Sequence, residues 1–259
     1  MIENLNRVPL NLEYAPDNAY RLEYTSSLDG LNDWAIVSPG QTEVCIVKLH
    51  GHGSFGDQIL RQDIREFWLR KFIEMKATIL SPNLRDNAWM SPAAVNDLSD
   101  LLDYMRSEHD VKRFILSSSS MGATGNLIYA TQHPEDVHAI VALGAATDLS
   151  SFYDWCMRQP AKSVPMELGK AIEESYGCKP EDNPSLFDKH STLKNCDKLT
   201  MPVFFAHGEA DELIPIEHAR WLAEKMQRQE NFEYHEIPEG NHDSPCFISD
   251  AVDFLSRVI

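Results

Sequence analysis

Short apolar runs and longer amphipathic segments take turns along almost the whole of this sequence. Residues 44–49 (Val-Cys-Ile-Val-Lys-Leu), 77–80, 113–117, 139–143, 202–206 and 232–237 have the length and apolar density of buried strands. Between and after them lie helix-like segments at about 57–74, 92–107, 121–132, 216–229 and 246–258. A strand covered on both faces has no polar side, so continuous apolar runs joined by helices imply a parallel sheet with helices on both faces. Residues 21–26 and 34–38, around Leu28-Asp29-Gly30, predict an opening antiparallel hairpin. The expected fold class is therefore α/β, with a mostly parallel, eight-stranded twisted sheet. The rhythm breaks once, where about 60 residues separate the runs at 139–143 and 202–206, far more than an ordinary connection. Helical pieces at 152–158 and 166–176 and a Pro/Asn/Asp-rich stretch at 179–184 predict a short helical lid at about 147–200. That lid is too short to stand alone, so 1–259 is expected to form one domain.

Three junctions carry chemistry. Phe114-Ile115-Leu116-Ser117-Ser118-Ser119-Ser120-Met121-Gly122 passes from a strand into a helix through small residues. A nucleophile held in a strained strand-to-helix turn needs small neighbours two positions before and after it. Aligned on Gly122, the pattern is Ser118-x-Ser120-x-Gly122, which makes Ser120 the candidate nucleophile. The bland alternative is a helix cap in a serine-rich loop. Upstream, Leu49-His50-Gly51-His52-Gly53 leaves a buried strand at a glycine-rich turn. Such a turn can aim a backbone N–H at a developing oxyanion, so the amides of His52 and Met121 are the expected pair of donors. His50 and His52 could instead share a metal ion, but no third ligand is evident nearby and no metal is expected. Downstream, the run at 202–206 leads into His207-Gly208-Glu209-Ala210-Asp211-Glu212-Leu213-Ile214-Pro215, and the last run ends in Pro238-Glu239-Gly240-Asn241-His242-Asp243. Asp211 can orient an imidazole, and His242, the one histidine in a glycine loop past the final strand, can reach back over the sheet. Asp148, after the run at 139–143, is the rival acid, although it equally suits the start of the lid. His133, His138 and His190 read as surface or packing residues.

The chain order Ser120, Asp211, His242 and these element contexts together resemble the α/β-hydrolase superfamily from about Tyr20 to Ile259. Within it the chain is most similar to the esterase and prolyl-oligopeptidase-like branch. The features that carry this are His-Gly-His-Gly after a strand, Asn183-Pro184-Ser185 ahead of residue 202, and His-Gly-x-x-Asp-x-x-x-Pro. Ser118 departs from the usual glycine, and Ala123 stands where a further glycine is common. The resemblance implies acyl transfer through a covalent intermediate on Ser120, with His242 as base and Asp211 as its partner, and no cofactor. The expected substrates are small or carbohydrate-linked carboxylic esters. Only 43 residues precede Val44, so selection is expected to fall to the lid and to loops such as 81–89. Peptide cleavage by the same triad is the alternative, and a non-catalytic binding protein on a hydrolase scaffold is the third reading. In 81–89, Arg85 is placed to bind an acidic substrate group or to brace the loop, and Trp89 to stack on a ring or sugar.

Charge narrows the partners. With 23 basic against 40 acidic residues the formal charge is −17, which repels nucleic acid and anionic membranes. No apolar run reaches the roughly 20 residues needed to span a bilayer. The start of the chain lacks a basic segment followed by an apolar one, so a cytoplasmic location is expected. Cys45, Cys156, Cys178, Cys196 and Cys246 are widely spaced, without zinc-ligand spacing. They read as small buried residues in a reducing compartment, with Cys178 and Cys196 the one pair that could bridge the lid.

Overall fold

The computed structural model describes residues 2–11, 15, 16 and 18–259. Among the described residues nine strands form one sheet: β1 (Glu3–Pro9), β2 (Tyr20–Thr25), β3 (Asn32–Ser38), β4 (Val44–Val47), β5 (Thr78–Pro82), β6 (Arg113–Ser119), β7 (Val137–Leu143), β8 (Val203–Gly208) and β9 (Phe232–Ile237). Their spatial order is β1-β2-β3-β5-β4-β6-β7-β8-β9. The first three strands and β5 pair antiparallel, and all pairings from β5 onward through β4 to β9 are parallel. The arrangement is that of the α/β-hydrolase fold. One strand more than the expected eight is present, because β1 was not legible. All seven of its residues are exposed, and an edge strand that buries nothing carries no hydrophobic alternation.

Alternate side chains of the central strands feed two cores, as the pleat requires. Cys45 and Val47 of β4 and Val203 and Phe205 of β8 join Leu98, Leu101 and Leu127 on one face. Val44, Ile46, Phe204 and Ala206 join Trp68, Phe72 and Phe254 on the other. Phe204 and Phe205 thus anchor opposite layers, each worth about 1.5–3 kcal/mol of burial. The first face is covered by α3 (Pro92–His109), α4 (Ser120–Gln132) and α8 (Glu217–Met226), the second by a segmented helix and α9 (Ser249–Val258). That segmented helix corrects the single helix expected at 57–74. A 3-10 turn (Gly56–Leu60) precedes α1 (Gln62–Ile64), a π turn (Arg65–Leu69) and α2 (Arg70–Glu74). Trp68, Leu69 and Phe72 all face inward, and the Trp68 indole donates to the Cys246 carbonyl at 2.8 Å.

The segment expected as a lid holds three helices, α5 (Leu149–Cys156), α6 (Val164–Tyr176) and α7 (Pro184–Lys189). Each starts at a side-chain cap, on Asp148, Ser163 and Asn183, which gives the Asn-Pro-Ser motif a structural origin. Phe152, Leu168, Ile172 and Phe187 belong to the same core as α3 and α4. A Cβ on Gly169 would lie 2.9 Å from Cys156 Cβ, so α5 and α6 pack at a distance only glycine permits there. All five cysteines are free, and the bridge considered between Cys178 and Cys196 is not formed. Among the described residues no helix is long and apolar enough to cross a membrane.

The strand order fixes where a site can lie. After β4 the chain adds β5 on one side, then crosses to place β6 on the other. Loops leaving the carboxyl ends of β4 and β6 therefore part, and a crevice opens between them.

Candidate active site

Ser120 sits at that crevice as the first residue of α4, directly after β6. Its φ is +55°, a left-handed conformation that a non-glycine residue adopts only at a cost of about 1–2 kcal/mol. The turn is over-determined by its neighbours. A Cβ on Gly122 would fall 2.6 Å from the Leu49 carbonyl oxygen, so glycine lets α4 press against the loop after β4. Ser118 is fully buried and its Oγ accepts the Leu49 N–H at 2.9 Å. Where a glycine is usual, this hydroxyl ties the β4 loop to the elbow.

Ser120 Oγ lies 2.9 Å from His242 Nε2, and His242 Nδ1 lies 2.7 Å from Asp211 Oδ2. Residues 122 positions apart in sequence thus form one hydrogen-bonded chain. The two late loops that supply it are stitched together. Glu209 N–H donates to the Ile237 carbonyl at 3.0 Å and Ala210 N–H to that of Gly240 at 2.7 Å. A Cβ on Gly208 would meet the Asn241 and Gly240 carbonyl oxygens at 2.3 and 2.4 Å. Only glycine at 208 allows that approach.

Burial works against a charge on Asp211, but hydrogen bonds from His207 and His242 and the Ile214 amide outweigh it and hold the carboxyl well below the usual carboxylate range. An ionised carboxylate can only accept, so His242 Nδ1 carries the proton and bare Nε2 accepts from the Ser120 hydroxyl. Asp148, the rival acid, is spent elsewhere: it accepts the Ser151 N–H at 2.8 Å and the Ser191 hydroxyl at 2.5 Å. Burial opposes its charge too, yet those bonds leave its carboxyl below the ordinary value.

On the opposite side of Ser120 runs the loop after β4. A Cβ on Gly51 would stand 4.0 Å from Ser120 Cβ. Gly51 N–H donates to Gln58 Oε1 at 3.0 Å and Gly53 N–H to Asn87 Oδ1 at 2.8 Å. Among the described residues the His52 N–H between them has no partner, and neither has that of Met121 in the first turn of α4. Gln58 was not singled out from the sequence; the spacing of four to Ser54, whose hydroxyl accepts its Nε2 at 3.1 Å, was the available signal. His50 turns both ring nitrogens onto backbone carbonyls, those of Asn83 at 2.8 Å and Gly51 at 2.9 Å. The His52 ring instead reaches Glu167 of α6 at 3.4 Å.

These groups open onto a cleft of about 350 Å³ whose lining is mixed, with Ile64, Val164, Leu168, Leu213 and Phe247 beside Gln58, Arg61 and Asp63. Arg85 and Trp89, expected as substrate contacts, are not among the lining residues. The Arg85 guanidinium is consumed by Asp97 at 2.5 Å, Asp29 at 2.8 Å and Ser26 at 2.8 Å. It clamps a loop in which Leu84, Arg85, Asp86, Trp89 and Met90 all have positive φ. Trp89 is buried, its ring against His52 and Phe152. Arg85 thus braces its own loop, and Trp89 packs between the loop after β4 and α5.

A family profile described as BD-FAE matches residues 37–226. A comparison with curated protein sequences finds no match. Among known structures, the chain is similar to the fluorophosphonate-binding serine hydrolase F of Staphylococcus aureus, with a TM-score of 0.70 and 14% identity over 94% of this chain and 99% of that one. An esterase of Pyrococcus furiosus gives a TM-score of 0.70 at 15% identity, covering 99% of each chain. An S-formylglutathione hydrolase from Agrobacterium tumefaciens gives 0.71 at 12% identity over 97% of this chain and 98% of that one. At these identities the likeness is one of fold.

Proposed function

The chain belongs to the BD-FAE family of α/β-hydrolases and is a serine hydrolase by class; from that premise we propose that it cleaves small or carbohydrate-linked carboxylic esters, with Ser120 as nucleophile, His242 as general base and Asp211 as its orienting acid. The observation that carries this reading is the continuous hydrogen-bonded chain from Asp211 through His242 to a Ser120 held at positive φ.

In the first half-reaction Ser120 Oγ attacks the ester carbonyl while His242 Nε2 takes its proton, and the carbonyl oxygen becomes an oxyanion. The free N–H groups of His52 and Met121 are its donors, aimed in advance and costing no reorganisation as charge develops. Collapse breaks the bond to the alcohol oxygen, which receives the proton from His242 and departs. Water then loses a proton to His242, attacks the acyl-enzyme and releases the carboxylic acid, returning the proton to Ser120. Asp211 stays ionised throughout and stabilises the imidazolium.

A cleft of about 350 Å³ lined by both apolar and polar side chains suits a compact ester. Alkoxide is also a better leaving group than the amine of a peptide and demands less from general-acid catalysis. The test is kcat/KM for p-nitrophenyl esters of increasing chain length, acetylated sugars and feruloyl esters against aminoacyl and dipeptidyl anilides. The reading predicts that the best ester exceeds every anilide. Anilide turnover that matches or exceeds it assigns the site to peptide cleavage.

A further inference from the structure

Asp211 Oδ2 has a second imidazole on it. His207, fully buried in β8, places its Nε2 at 3.1 Å from the same oxygen that His242 Nδ1 holds at 2.7 Å. The other carboxylate oxygen accepts the N–H groups of Leu213 at 2.8 Å and Ile214 at 2.9 Å. His207 Nε2 also lies 2.9 Å from the Ile214 carbonyl oxygen. Both of its neighbours are acceptors, so Nε2 carries a proton, which it donates to the Ile214 carbonyl oxygen while Asp211 Oδ2 shares it more loosely at 3.1 Å. Among the described residues His207 Nδ1 is buried without a partner, and a second proton there would be a desolvated charge with nothing to accept it. The imidazole is therefore neutral, and its ring stands edge-on to Phe205, 6.3 Å between centroids.

We infer that His207 is a positioning residue that shares Asp211 Oδ2 with His242, fixing the carboxylate and tempering its hold on the His242 proton. The inference rests on the reading of Ser120, His242 and Asp211 as the catalytic chain. A neutral donor stabilises the carboxylate without cancelling its charge, so the full negative charge remains for the imidazolium. An oxygen that already accepts one hydrogen bond attracts a second proton less strongly, so Asp211 holds the His242 Nδ1 proton less tightly than it would with His242 as sole partner. No other titratable group does this work. Facing His207 are Asp211, Glu236 across the β8–β9 register and His218 on α8. Around His242 lie Asp211, Asp243 and, one turn on, Cys246.

The experiment compares pH profiles of kcat/KM for p-nitrophenyl acetate in the wild-type protein, His207→Gln and His207→Leu. Glutamine carries an amide N–H to nearly the place of Nε2, whereas leucine removes the donor. His207→Leu is expected to move the acid limb up by about half to one pH unit, and His207→Gln to restore it. kcat should fall by about tenfold in the leucine variant with KM little changed, since orientation and not binding is lost. An unmoved acid limb in His207→Leu, or a glutamine variant that behaves like leucine, overturns the inference. Nitrogen NMR of the wild-type protein gives a second reading that needs no variant to fold. It should find His207 as the neutral Nε2–H tautomer in the active protein; an Nδ1–H tautomer or an imidazolium overturns it. Failure of these tests with Ser120→Ala still inactive leaves the catalytic chain standing, and only an active Ser120→Ala removes that reading.

Discussion

Asp211 and Asp148 both follow a strand of the sheet, both are buried and both hold their charge, yet they answer to different partners. Asp211→Asn would set an amide NH₂ or a flipped carbonyl against two imidazole donors and two backbone N–H groups, which cannot all be satisfied. His242 would then lose its productive tautomer, and kcat is predicted to fall by about 10³–10⁴-fold. Asp148→Asn keeps a cap for Ser151 and weakens the contact with Ser191, so stability should drop by about 1 kcal/mol with kcat nearly unchanged. Steady-state kinetics and thermal unfolding of the pair check this; the reversed pattern would exchange their roles. At this scale Ser120, Asp211 and His242 could be singled out as candidates because each stands at a junction marked by small residues and by its order along the chain. His207 was in plain view within the same motif, but its role depends on which nitrogen meets Oδ2. Arg85 was left between binding a substrate and bracing its loop, because Asp29 and Asp97, which consume it, are separated from it by 56 and 12 positions. A side chain's partners at such range leave no local pattern.

The active geometry depends on loops crossing closely at the ends of strands. Gly208→Ala puts a methyl within 2.4 Å of the Gly240 carbonyl oxygen and closer still to that of Asn241. The two loops must then separate, moving Asp211 from His242. We predict that kcat falls by about 10²-fold for a displacement of the order of 1 Å, together with a lower unfolding midpoint. A Gly208→Ala protein with wild-type kcat would mean that the loops are not held to this approach. The strands from β4 to β9 and the helices over them were legible because burial on both faces or on one stripe imposes a period. Elements without such a period were not: β1 exposes every residue, and the π turn at Arg65–Leu69 changes the helix repeat without altering composition. The segment expected as a helix at 246–258 likewise divides, a 3-10 turn at Ser244–Phe247 preceding α9, because Ile248 between them is extended.

The molecule as a whole stores neutral histidines in its interior, and acid should act on them. Burial lowers His190 and His218 from 6.5 to about 4. An unfolded histidine takes up its proton near pH 6.5, while these rings stay neutral in the fold until about pH 4. Stability is therefore full above the unfolded value and is lost as pH falls through the window down to the folded one, by up to about 1.4 kcal/mol per ring per pH unit. Asp211, depressed in the fold, acts in the same direction lower down, its contribution present above about pH 4 and lost below it. Urea unfolding at pH 7 and pH 5 should show a marked fall in midpoint, and His190→Asn, which keeps a donor for the Met90 carbonyl, should reduce the fall. A midpoint independent of pH in this range would contradict the buried, neutral state of these rings. The central claim, that one particular hydroxyl of a four-serine run is the nucleophile, is tested most directly by reacting the intact protein with a fluorophosphonate and mapping the adduct by peptide mass spectrometry. The account predicts a single adduct on Ser120, loss of esterase activity in step with labelling, and neither labelling nor turnover in Ser120→Ala. An adduct on Ser119 or Ser117, or full hydrolysis by Ser120→Ala, would contradict it.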